Sequence, residues 1–172
     1  WDDLIDEDEE TPTTTFEGPK DMKYTEFNLS RQNKHFLALR HVGGVDIIKD
    51  IYVRDPNTST FWFVGKIACI SDVSIEQAIA RQQCLICEHA ARLRPLELYS
   101  AKERFELWYA PGDSEIDVAY NRPHIKFIKY DIDEELEEST SIRNTLVGFA
   151  GEIYENGEEG FRTLRNDDGL PL

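Results

Sequence analysis

Much of what advertises a function in a protein sequence is missing from this one. There is no run of about 18 apolar residues, so no helical membrane span can be read from it. Neither a GxGxxG nor a GxxxxGK(S/T) pattern occurs, which removes the usual glycine-rich cradles for dinucleotides and nucleoside triphosphates. A GxSxG nucleophile elbow is missing too. Cysteine is scarce: three in 172 residues, with no scaffold-like spacing, which fits a reducing compartment better than a disulfide-stapled domain. Positive charge is also in short supply. Lys and Arg number 19 against 34 Asp and Glu, a formal net charge of −15. Repulsion of that sign argues against nucleic acid or an anionic membrane as the main partner.

What remains is the composition of a folded chain, 40% hydrophobic and 11% aromatic, long enough for one domain with a proper core. The acidity is uneven. Residues 1–20 hold eight acids against one lysine and are read as a flexible arm, because their apolar surface is too small to repay the entropy of ordering. Trp1, Leu4 and Ile5 are the side chains by which this arm could dock. Starting at Trp1 without methionine, the sequence is expected to be a processed form or a fragment. Residues 21–172 are read as a single domain.

Within it, "HFLALRHV" suits a strand buried on both faces, the alternative being a helix capped by Ser30 and ended at Gly43-Gly44. "VDIIKDIYVRD" and "TFWFVGKIACI" flank Pro56-Asn57 and predict a hairpin. Phe61 to Val64 load both faces of the second strand, which should therefore be central. Ser74 with Gln77 forms a capping box for a long helix limited by Pro95. Ile75, Ala78, Ile79, Leu85, Ile86, Ala90 and Leu93 make its apolar stripe, with Glu76, Arg81, Glu88 and Arg92 opposite. Afterwards strands return: "RFELWYA" puts Leu107 and Tyr109 on one face and Trp108 on the other, and Ile125, Phe127 and Ile128 are core candidates. "DIDEELEES" is a second acidic run. The last segment reads as a strand, a turn at Asn156-Gly157 and a short returning strand. The expectation is an α+β fold: a curved antiparallel sheet of about six to seven strands packed on one long central helix.

Two clusters could carry chemistry. Cys84 and Cys87 share a helix face, but they fall mid-helix, away from the N-terminal groups that stabilise a thiolate, and His89 points elsewhere. In "GDSEIDVAYNRPH" the acids Asp113, Glu115 and Asp117 alternate without the glycine and closing glutamate of a calcium loop. A polar loop closed by an Arg122–carboxylate pair is the simpler expectation. No catalytic residue, metal ligand set or cofactor is assigned from these residues.

The segments "DPNTSTFWFVGKIACISDVSIEQAIARQ", "EHAARLRPLELY", "APGDSEIDVAYNRPHIKF" and "GFAGEIYENGEEGFRTLRNDDG" resemble nuclear-encoded plastid proteins of plants and green algae. The resemblance spans most of residues 36–168. It implies a chloroplast stroma location and a non-catalytic accessory or assembly role beside photosynthetic or plastid gene-expression complexes. The partner expected is then a set of protein subunits with basic surfaces, met by the acidic runs, with Trp1, Leu4, Ile5, Tyr120 and Arg122 as contact candidates. The competing expectation is a small-ligand binder or enzyme with a pocket inside the curved sheet, Trp62, Trp108, Tyr109 and His124 at its mouth.

Overall fold

A computed structural model describes residues 22–122, 124–131, 142–153 and 161–172. The acidic arm with Trp1, Leu4 and Ile5, the second acidic run from residue 132, and the Asn156-Gly157 turn lie outside the described residues.

The first element corrects the strand expected at "HFLALRHV". Helix α1 runs Glu26–Gly43. Its N-cap is Thr25, whose side chain accepts from the Asn28 N–H, so Ser30 lies inside the helix. Arg40 and His41 in the last turn suit the dipole, and Gly44 follows at φ 72°, a conformation that favours glycine. The periodicity is faint because few apolar residues are used inward: Phe36 and Leu39 are buried, while Phe27, Leu37 and Val42 are exposed.

Strands β1 (Ile48–Arg54) and β2 (Thr60–Cys69) form the expected antiparallel hairpin. A register shift opposite Ile51 and Tyr52 sets the side-chain phase of β2. Phe61 and Phe63 therefore share a face with Lys66 and Ala68. Helices α2 (Ile75–Arg81) and α3 (Gln83–Leu93) follow. The Ser74–Gln77 capping box is present in both directions. The single long helix is only partly realised: the chain breaks at Gln82, with φ −120° and ψ 17°, and Pro95 opens a further turn, α4 (Pro95–Leu98), rather than merely ending the run. Arg81, expected on the outer side, is buried, with Nε and Nη2 bonded to the Ile142 carbonyl and Asn144 Oδ1.

Strand β3 (Glu106–Pro111) pairs with β1, α5 (Glu115–Ala119) follows, and β4 (Ile128–Lys129) lies along β3. Ile125 and Phe127 are buried as expected, but Ile128 is about half exposed on this edge. Strands β5 (Val147–Gly151) and β6 (Arg162–Leu164) do not form a hairpin with each other. Both pair antiparallel with β2, at residues 65–69 and 60–62, so β6 continues in the direction of β5 instead of returning. The sheet order is β4-β3-β1-β2-β5, with β6 beside β5 on the same edge of β2. This is an α+β fold on an antiparallel sheet of six strands.

The sheet has two unlike faces. On one, Ile51, Val53, Val64, Ile67, Leu107 and Phe149 pack with Ala78, Ile79, Leu85 and Ile86 of α2 and α3. Fully burying one such large side chain contributes roughly 1.5–3 kcal/mol. On the other, α1 covers one end through Phe36, Leu39, Ile48 and Ala68. A Cβ on Gly148 would collide with the Phe36 backbone, so β5 can pass under α1 only as glycine there. The far end is an aromatic cluster of Tyr52, Phe61, Phe63, Trp108 and Phe127. Between these two apolar patches lies a seam of charge.

Candidate functional site

The seam is built by strand alternation. Asp50 and Tyr52 share a face of β1, and Lys66 stands opposite Asp50 on β2. Asp113 and Ser114 form the turn after β3, and Glu115 begins α5. Asp50 is fully buried. Its Oδ1 accepts the Asp113 N–H at 3.1 Å and its Oδ2 the Ser114 N–H at 3.0 Å. Lys66 Nζ stands 3.3 Å from Asp50, 2.6 Å from Asp113 and 3.0 Å from Glu115. Arg40 of α1 completes the network on Asp113.

Burial pushes the Asp50 carboxyl up to about 6 against the pull of Lys66 and the turn N–H groups. Burial pulls Lys66 down, but its bonds to Asp113, Asp50 and Glu115 outweigh that and hold it above the ordinary lysine value. Asp113, also partly desolvated, is held below the usual carboxylate range by Lys66 and Arg40. Oxygens of Asp50, Asp113 and Glu115 lie within 4.8 Å of one another, a spacing that suits a hard cation. In this arrangement Lys66 supplies the positive charge among them. Because both Asp50 oxygens face a donor, the group fastens the β3–α5 turn to the sheet.

The sequence draws attention to Asp113, Glu115 and Asp117, whereas the most deeply buried carboxylate of the cluster is Asp50. A signal was available: in "IIKDIYV" the acid occupies the same strand phase as Ile48 and Tyr52, both buried. The expected loop closure is present, with Arg122 Nε 3.2 Å from Asp117.

Trp62 and Tyr109 lie on the helical face and Trp108 on the opposite face, so the sheet stands between them, and His124 is exposed. The three aromatics are buried and engaged. Arg94 and Arg162 stack over the Trp62 ring, the Trp108 N–H donates to Glu106, and the Tyr109 hydroxyl donates to Glu76 at 2.6 Å.

Compared with known proteins, the chain matches no family model, no curated protein and no solved structure. Function is therefore read from the molecule's own surfaces.

Tyr120 and Arg122 are well exposed, the former 71%, and Arg122 leans over the Tyr120 ring. Ile116, 70% exposed, stands one helical turn before Tyr120. Asn121, between the two candidates, and Ala119 line an open groove of about 460 Å³ whose other walls come from residues 161–164 and Leu172.

Cys69 and Cys87 pack against the core on the helical side of the sheet. No disulfide joins the three cysteines, and burial, followed by Cys84 and Glu88, pushes the Cys87 thiol up to about 12. His89 is buried, with Nε2 2.8 Å from the Glu152 carbonyl and Nδ1 3.4 Å from the Tyr24 hydroxyl. Burial holds its pKa below the ordinary histidine value.

Proposed function

We propose that the protein is a non-catalytic accessory or assembly factor of the chloroplast stroma that binds a larger photosynthetic or plastid gene-expression complex through protein–protein contacts. The observation that carries this reading is the rim formed by Ile116, Tyr120 and Arg122, where apolar and aromatic side chains stand in solvent beside an open groove. Tyr and Arg side chains of this kind anchor interfaces, combining large contact area with directed polar groups. The net charge of −15 favours partners with basic surfaces and speeds their encounter.

The test is recovery of the tagged protein from its native source with and without Tyr120→Ala plus Arg122→Glu. Loss of co-purifying subunits from the double variant, with the fold intact by circular dichroism, is the expected result. Unchanged recovery would remove the rim from the interface. Deletion of residues 1–20 tests the arm in the same way.

A second reading, a small-ligand binder or enzyme, draws on one feature: Asp50 is a buried carboxyl brought near neutrality beside Lys66. It predicts a thermal shift of several degrees with a stromal metabolite that Asp50→Asn abolishes.

A further inference from the structure

The longest stretch of this acidic sequence without a single acid is residues 27–45, and α1 holds most of it. Arg31, Lys34 and Arg40 lie in it with no Asp or Glu, although the chain as a whole carries −15. Helical periodicity sorts these residues into two sides. Gln32, Phe36 and Leu39 are buried on the inner side. Phe27, Lys34 and His41, seven residues apart and all exposed, run down the outer side. Leu37 flanks that row on one hand, and Arg31 and Val42 flank it on the other.

The outer side is unusually apolar for a solvated surface. Phe27 is 67% exposed, Leu37 56% and Val42 75%. The Arg31 guanidinium stands over the Phe27 ring, 5.0 Å from its centroid. An exposed apolar row set among bases is the mark of a contact surface. Its charge specifies the cover, which has to bring carboxylates together with apolar side chains.

Residues 1–10 have both properties. They hold seven acids and no base, and Trp1, Leu4 and Ile5 follow the spacing of one side of a helical turn. The connection, residues 11–21, spans up to about 36 Å when extended, whereas α1 is about 27 Å long. Residues 1–10 can therefore reach any point along the helix. A tethered segment also meets its site at a roughly millimolar effective concentration, so contacts too weak to hold a free peptide suffice.

We propose that residues 1–10 fold back along the outer side of α1, with Trp1, Leu4 and Ile5 over Phe27, Leu37 and Val42 and the intervening acids paired with Arg31 and Lys34. The contact lies within one chain and does not depend on the rim. Where the partner reading above holds, a basic partner surface has to compete with α1 for these acids.

The test uses the full chain with no partner present. In methyl-labelled protein, replacing Trp1, Leu4 and Ile5 together by serine should shift the Leu37 and Val42 methyl signals and leave that of Ile51, in the core, where it was. Lys34→Glu should return the Leu4 and Ile5 methyls to their positions in the free peptide 1–10. Both changes fall outside the core, so the fold is retained. In the wild type, a carbodiimide should join Lys34 to acids of residues 2–10. Lys126, exposed on a different acid-free stretch, should stay unjoined.

The proposal is overturned if the serine variant leaves Leu37 and Val42 unmoved, or if Lys34→Glu leaves Leu4 and Ile5 unmoved. Equal cross-linking of Lys34 and Lys126 overturns it as well, since the arm would then have no fixed seat. So does cross-linking of Lys34 to residues 131–138 in place of 2–10. A mixture of labelled and unlabelled chains closes the test: Lys34 links formed between the two kinds would give the face to a second copy and sink the fold-back. None of these results bears on Tyr120 and Arg122, so the rim stands or falls separately.

Discussion

The two faces of the sheet present the same three strands to different surroundings. On the helical face, alternate residues of β1, β2 and β3 are apolar, and α2 and α3 cover them with apolar side chains. On the opposite face the alternate residues include Asp50, Arg54, Lys66 and Glu106 among aromatic rings, and the cover is one weakly amphipathic helix, a short helix and irregular segments. The first face is held by area removed from water, which is indifferent to partner and pH. The second is held by specific pairs, which are sensitive to both. Arg54 illustrates the second kind. It bonds Glu106 and Asp167 while stacking over Phe61, tying the C-terminal segment to the aromatic cluster. The rim proposed for partner binding borders this second, less uniform face, since Val118 of the same short helix packs in its aromatic cluster.

That contrast can be broken or sharpened by substitution. On the helical face, Ile51→Ala should cost about 2–5 kcal/mol in denaturant titration, with the same value at pH 5 and pH 8, because the side chain is buried among apolar groups and only area and cavity are involved. On the charged face, Lys66→Met should cost about 3 kcal/mol at pH 8, since it leaves Asp50 buried without its cation. Most of that cost should disappear near pH 5, where Asp50 takes up a proton. A Lys66→Met penalty independent of pH would mean that Asp50 does not titrate in this environment.

Asp50→Asn tests the same group with the opposite sign. Folding holds the Asp50 proton more tightly than the unfolded chain does, so the wild type loses stability as pH rises across the window from 3.8 to about 6. Asparagine cannot ionise, and the variant should therefore gain on the wild type by on the order of 2 kcal/mol between about pH 4 and pH 7. Ser74→Ala should cost about 1 kcal/mol through the lost capping box, seen as a lower denaturation midpoint. Smallest of all, Arg122→Ala should change stability by less than about 0.5 kcal/mol, because its pair with Asp117 is solvent-exposed. A larger loss there would show that Arg122 serves the fold and is unsuited to test the interface.

The parts of the fold legible in the sequence are those fixed by neighbours in the chain. The β1–β2 hairpin was marked by two branched, aromatic runs about a Pro-Asn turn, and the start of α2 by a serine three residues before a glutamine. The split of Trp108 from Leu107 and Tyr109 followed from strand alternation alone. Helix α1 was misread because its buried side uses few apolar residues and its exposed side carries Leu37 and Val42, which flattens the helical period. The returning strand at the end was misread because hairpin logic assumes that consecutive strands pair with each other. Here both prefer β2, whose ten residues are long enough to seat them in tandem. Arg81 was placed on the outer side because arginine at a helical position is usually solvated, and the carbonyl of Ile142 that receives it lies 61 residues away.

The sequence by itself determined the α+β class, the hairpin, the capping box and the acidic balance, because each depends on residues within a few positions or on plain counting. Tertiary structure alone decided that Asp50, Lys66, Asp113 and Arg40 converge, and that β5 and β6 sit in tandem on one edge of β2. Those facts depend on which segments of a folded sheet become neighbours across tens of residues. Short-range patterns carry no record of that choice, since it is made by the packing of whole elements against one another.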